Sequence, residues 1–146
     1  MSFHPKAENG ALASLIKCID ECHACVQACT SCADACLAEQ DVERLRQCIR
    51  VDLDCADVCR TTAALASRRT GSNEDLLRAA LEFCATACEI CNEECKRHAE
   101  HHEHCRVCAE ACRTCADACR EAMDSLGGDG ISGTGVQQEL PWIRRH

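Results

Sequence analysis

The sequence predicts an all-α protein, an antiparallel up-down-up-down four-helix bundle with a cysteine-lined core, on three observations. Between Ala11 and Leu126 the chain holds a single glycine, Gly71, and no proline. Its cysteines recur at the spacing of one helix face in four separate stretches. The alternating β-branched and aromatic runs that mark strands are absent.

Cys18, Cys22, Cys25, Cys29, Cys32 and Cys36 are spaced 4, 3, 4, 3, 4 and so share one helix stripe. That stripe is roughly 27 Å long at about 1.5 Å per residue, and it predicts a first helix over about 10–38. A second helix, over 41–68, is expected to start at an Asp41 N-cap and to end before Thr70-Gly71. It carries Cys48, Cys55 and Cys59, with Asp52 at the one position of the repeat that lacks a cysteine. Because an unpaired buried carboxylate is expensive, Val51 is expected to face inward and Asp52 outward. Ser72 followed by Asp75 is a capping pattern that opens a third helix over 73–98, with Cys84, Cys88, Cys91 and Cys95. The phase persists from Cys95 to Cys105, but an unbroken helix there would be about 80 Å long and could not fold its thiols back onto the others. A break near His101 therefore separates off a fourth helix, over 102–126, with Cys105, Cys108, Cys112, Cys115 and Cys119. Residues 1–126 then form one bundle domain; residues 127–146, with five of the seven glycines, read as a flexible tail in which Leu140-Pro141-Trp142 has no assigned role.

Composition narrows what such a bundle can do. Leu, Ile, Val and Phe supply only 25 of the 146 residues, a content that signals disorder unless another residue type builds the interior. The 18 cysteines do so, since a protonated thiol behaves as a small apolar group. A net charge of −8, with one Trp, two Phe and no Tyr, provides neither the basic patch nor the stacking surface of a nucleic-acid binder. No segment is apolar for the length of a membrane span, and Met1 to Lys17 shows neither a twin-arginine pair nor an apolar signal core, so a cytoplasmic location with reduced thiols is expected.

Of the 17 gaps between successive cysteines, five are CxxC and eight are CxxxC, and neighbouring pairs share residues. That overlap distinguishes the pattern from zinc knuckles, which close separate sites from pairs set on turns, and from short, loop-rich disulfide scaffolds. It makes a ladder suited to many ions. Zn²⁺ in a four-thiolate site leaves that site dianionic, and the in-phase positions hold no Lys or Arg to offset buried charge. A monovalent soft ion that displaces one thiol proton leaves the interior charge unchanged, so Cu(I) can fill the core to roughly one ion per thiol. Soft divalent ions bind thiolates too, which keeps a metallothionein-like zinc or cadmium buffer as the main alternative. A thiol redox protein is a weaker one, because no single cysteine is set apart.

These stripes, from Cys18-Ile-Asp-Glu-Cys22 and Cys29-Thr-Ser-Cys32 to Cys112-Arg-Thr-Cys115, resemble the cytosolic branch of the bacterial copper storage proteins over about residues 11–123. The resemblance implies storage or buffering of many Cu(I) ions per chain, a ligand role for all 18 cysteines, no enzymatic turnover and assembly into a homotetramer. A copper donor or acceptor is the partner it leaves room for. The outer faces mix Arg, Glu, Asp and Ala, with no large apolar patch to locate subunit contacts.

In an up-down topology the turn at Glu39-Gln40-Asp41 and the turn near His101 share one end, where Cys36, Cys48, Cys95 and Cys105 form the nearest thiol layer. His98 and His101 continue the cysteine phase and are the first candidates for a metal uptake port, with His102 and His104 beside them. His23 lies off the stripe and reads as a surface or subunit-contact residue, and Met123 as core. Protonated thiols packed with Ala, Leu and Ile make a core without metal, so circular dichroism of the reduced, metal-free chain should show a fully helical protein; a coil spectrum would favour the metallothionein-like alternative.

Overall fold

The same in-phase residues that carry the thiols leave an apolar stripe on each helix, and four such stripes can be hidden only against one another. In the computed structural model, which describes residues 11–126, they do this as α1 (Ala11–Leu37), α2 (Arg46–Ser67), α3 (Glu74–Lys96) and α4 (Glu103–Ser125). Each helix packs on two others, α1 and α3 both lying between α2 and α4. The expected tail at 127–146, with Trp142, lies outside the described residues.

Two helix starts differ from the sequence reading. A 3-10 turn, Val42–Leu45, precedes α2, and Asp41 makes no side-chain cap bond. Its carboxylate instead meets His102 Nε2 across the end of the bundle, a contact that takes the place of a backbone cap. Helix α3 is capped at Asn73 rather than Ser72, again with no side-chain cap bond, because the Asn73 amide donates to the Leu65 carbonyl at 3.1 Å. Arg68 leaves α2 in an extended conformation, and Gly71 turns the chain at φ +85°, a region that L side chains rarely adopt. The expected break before α4 is present: α3 stops at Lys96, and turns over 97–101 reverse the chain.

The two ends of the bundle are unlike. At the end away from His101, Leu12, Leu15, Ala66, Leu77, Leu81 and Ala122 close the core with aliphatic side chains, all buried. At the other end the turns at 38–41 and 97–102 surround Cys36 and Cys105 with polar residues. Leu81→Ala should therefore cost about 2–5 kcal/mol in denaturant unfolding of the metal-free protein while leaving the number of ions bound unchanged; a parallel loss of capacity would show that the aliphatic end takes part in the thiol array.

Candidate metal centre

All 18 cysteines are free and buried, none more than 1% exposed. Their pairing follows a strict antiparallel register. Cys18, Cys22, Cys25, Cys29 and Cys32 of α1 stand at 3.7–3.8 Å (Sγ to Sγ) from Cys119, Cys115, Cys112, Cys108 and Cys105 of α4. Likewise Cys48, Cys55 and Cys59 of α2 lie 3.6–3.7 Å from Cys95, Cys88 and Cys84 of α3. The diagonal contacts Cys22 to Cys84 and Cys29 to Cys91, at 3.9 Å, join the two sheets of thiols. Groups of four such as Cys22, Cys84, Cys115, Cys119 and Cys32, Cys36, Cys48, Cys105 have all their sulfurs within 4.8 Å. Shared members link these groups into one array, at separations nearly twice the roughly 2.05 Å of a disulfide.

Burial sets the protonation of the array. No basic residue among the described ones is buried, so a thiolate inside has no cation to balance it. Desolvation pushes the Cys36 thiol up to about 12. Hydrogen bonds from Cys119 and Cys22 pull Cys18 the other way, down to about 5, so thiol–thiol contacts compete with desolvation across the array.

Asp52 corrects the expected orientation. It is fully buried, with Val51 also inside, and completes the α2 stripe opposite Cys91. Its Oδ1 accepts from the thiols of Cys91 (3.1 Å), Cys108 (3.2 Å) and Cys95 (3.5 Å), while Cys48 approaches Oδ2 at 3.9 Å. Desolvation first, then the proximity of Cys108 and Cys48, raises its pKa to about 8. Most of the burial cost is thus avoided by keeping the acid protonated, and thiol donors satisfy its oxygens.

At the polar end the histidines divide. His104 Nδ1 lies 3.5 Å from Cys32 Sγ and 3.6 Å from Cys105 Sγ, and its Nε2 faces Glu39 Oε2 at 2.8 Å. His102 stacks on it, centroids 5.3 Å apart, and directs Nδ1 to Glu39 (3.1 Å) and Nε2 to Asp41 (3.2 Å). The hydrogen bond to Asp41, together with Glu39, holds His102 above the usual histidine range and Asp41 below the usual carboxylate range. His98 Nε2 meets the buried Glu94 at 3.1 Å, and Arg97 caps the same carboxylate. His101 is exposed.

The sequence of residues 12–124 matches the model of one protein family, Csp, the copper storage proteins. The chain belongs to the copper storage protein family. It is similar to the cytosolic copper storage protein of Streptomyces lividans carrying five coppers, at 56% identity over 78% of this chain and 95% of that one, with a TM-score of 0.77. The same Streptomyces protein loaded with 10 copper equivalents gives 53% identity, 84% and 94% coverage and a TM-score of 0.81. Apo copper storage protein 3 of Bacillus subtilis is 36% identical over 73% of this chain and 96% of that one, with a TM-score of 0.63.

Within this copper storage protein the structure brings all the sequence-predicted cysteines together, whereas the histidines reorder. His104, which is out of phase with the stripe, touches thiols; His98 and His101, which are in phase, do not. The physical reason is the break itself: residues 97–101 leave the helix, so phase counted from Cys95 no longer tells which way a side chain points. His23 is exposed, and Met123 packs against the core. Sequence reasoning missed Asp52 and Glu39. The signal for Asp52 was its place in the 4, 3, 4 spacing with Cys48, Cys55 and Cys59; Glu39 had none beyond its turn.

Asp52 also sets a pH dependence. A carboxyl raised from 3.8 to about 8 on folding keeps its proton in the native state after the unfolded chain has released it. Native protein then binds more protons than unfolded, and stability falls as pH rises through that window. Asp52→Asn should flatten the stability profile of the metal-free protein between about pH 4 and 8; an unchanged slope in denaturant titrations would show that Asp52 does not carry it.

Proposed function

We propose that this chain stores and buffers Cu(I) in the cytoplasm, many ions per chain, with all 18 core cysteines as ligands and the histidine-lined end as the uptake port. The observation that supports it is the unbroken array of buried thiols in a core that, among the described residues, holds no buried Lys or Arg. Each Cu(I) that binds a thiol sulfur displaces one proton to solvent, so the interior charge is the same before and after. Thiols already stand within 4 Å of one another across and along the helices, so two or three can converge on an ion by rotamer adjustment without unfolding the bundle.

The zinc or cadmium reading meets the opposite electrostatics, since every divalent four-thiolate site adds negative charge to that interior. A thiol redox role lacks the accessible sulfur it needs, as all the cysteines are buried. The chain thus acts as a store rather than an enzyme. Assembly into a homotetramer, implied by the sequence resemblance, has a surface to support it: Leu76, Phe83 and Ile90 of α3 are 47%, 62% and 54% exposed at seven-residue spacing. A protein that hands Cu(I) to the polar end, or takes it away, is the further partner.

Anaerobic titration of the reduced, metal-free protein with Cu(I) against a competing chelator should approach roughly one ion per thiol, with about one proton released for each. Saturation at a few ions, or displacement of Cu(I) by Zn²⁺, would make most of the cysteines packing residues and overturn the storage reading.

A further inference from the structure

Glu39 sits on the turn after α1, one-third exposed, and one of its oxygens serves two rings from the other side of the mouth. Oε2 stands 2.8 Å from His104 Nε2 and 3.1 Å from His102 Nδ1. A carboxylate only accepts hydrogen bonds, so both of those nitrogens carry hydrogen. For His102 the second nitrogen also faces a carboxylate, that of Asp41 at 3.2 Å, and the ring has no free lone pair in this arrangement. For His104 the second nitrogen faces sulfur: Nδ1 is 3.5 Å from Cys32 and 3.6 Å from Cys105. In the neutral ring, hydrogen on Nε2 leaves the Nδ1 lone pair directed at those two thiols.

We propose that Glu39 is a positioning residue for copper uptake: by accepting the Nε2–H of His104 it fixes the tautomer whose bare Nδ1 faces Cys32 and Cys105, so that an arriving Cu(I) meets one nitrogen and two sulfurs already converged. With the other tautomer, Nδ1–H would point at the sulfurs, and the ring would have to turn over before it could bind the ion. The shared oxygen also separates the two stacked rings by role, His104 as the nitrogen donor and His102 as a cation held between Glu39 and Asp41. Glu39 itself touches no thiol in the array; it acts through His104. The inference rests on the uptake-port reading given above and adds to it the residue that makes one histidine of the port competent.

The test uses full-length protein labelled with ¹⁵N-histidine, metal-free and at mildly alkaline pH, with Cu(I) supplied as a chelator complex. Ring ¹⁵N shifts report which nitrogen bears hydrogen. His104 should carry it on Nε2 in the wild type and in Glu39→Gln, whose amide oxygen accepts the same bond, but on Nδ1 or on a mixture of both in Glu39→Ala. Initial Cu(I) uptake should slow roughly tenfold or more in Glu39→Ala, the usual scale for losing an outer-shell partner of a metal-binding histidine, and recover in Glu39→Gln, with final capacity the same in all three. A clasp that merely tied the two turns together would alter stability without moving the tautomer. Wild-type His104 protonated on Nδ1, wild-type uptake in Glu39→Ala, or no recovery in Glu39→Gln would each overturn the proposal. His104→Ala separates the levels: slow loading there with normal loading in Glu39→Ala defeats only the role of Glu39, whereas normal loading in His104→Ala defeats the port reading and this proposal with it.

Discussion

A protein interior of low dielectric cannot hold unbalanced charge, and here the interior is made almost wholly of ionisable groups. Thiols that keep their protons pack as small apolar side chains among the Ala and Leu residues of the same stripes. The cost of unbalanced charge accounts for the absence of buried Lys or Arg among the described residues and for the raised pKa of Asp52. A store built this way is folded when empty and needs no rearrangement of charge to fill.

The antiparallel register turns four stripes into one array. Because α1 pairs with α4, and α2 with α3, at a constant offset, each thiol meets a partner at the same depth, and the i, i+3 and i, i+4 neighbours on its own helix connect successive depths. Asp52 departs from this rule opposite Cys91, and Cys36 does so beyond Cys105 of α4, where its sulfur meets Cys32 of its own helix. Asp52 occupies the position of a cysteine and takes hydrogen bonds from thiols of α2, α3 and α4, which places an oxygen donor in the half of the array nearer the polar end.

Polarity along the bundle axis comes from how the two ends are closed. Aliphatic residues of all four helices close one end, and polar residues of the turns surround the other. There, Glu39, Asp41 and Glu94 each meet a histidine of the turn before α4 or of its first residues, and these carboxylate contacts orient the rings. For His102 and His104 that order depends on pairs drawn from separate turns, whereas His98 is held by Glu94 one helical turn before it.

The amino-acid sequence by itself determined the helices, their number, the face each one buries and the identity of the core, because the period of the cysteines and the near absence of helix breakers depend only on local spacing. Its local rules failed where a side chain had a better distant partner. Asp41 was legible as a cap but is drawn to His102, and Ser72, also legible as a cap, gives way to Asn73, whose amide is drawn to the Leu65 carbonyl. Asp52 was legible by phase but seemed too costly to bury, since its thiol donors come mainly from α3 and α4, whose register no single helix reveals. Only the tertiary structure decided that His104 rather than His98 or His101 meets the thiols, because the direction of a ring beyond a helix break is set by the carboxylate that holds it, and Glu39 stands 65 residues away along the chain.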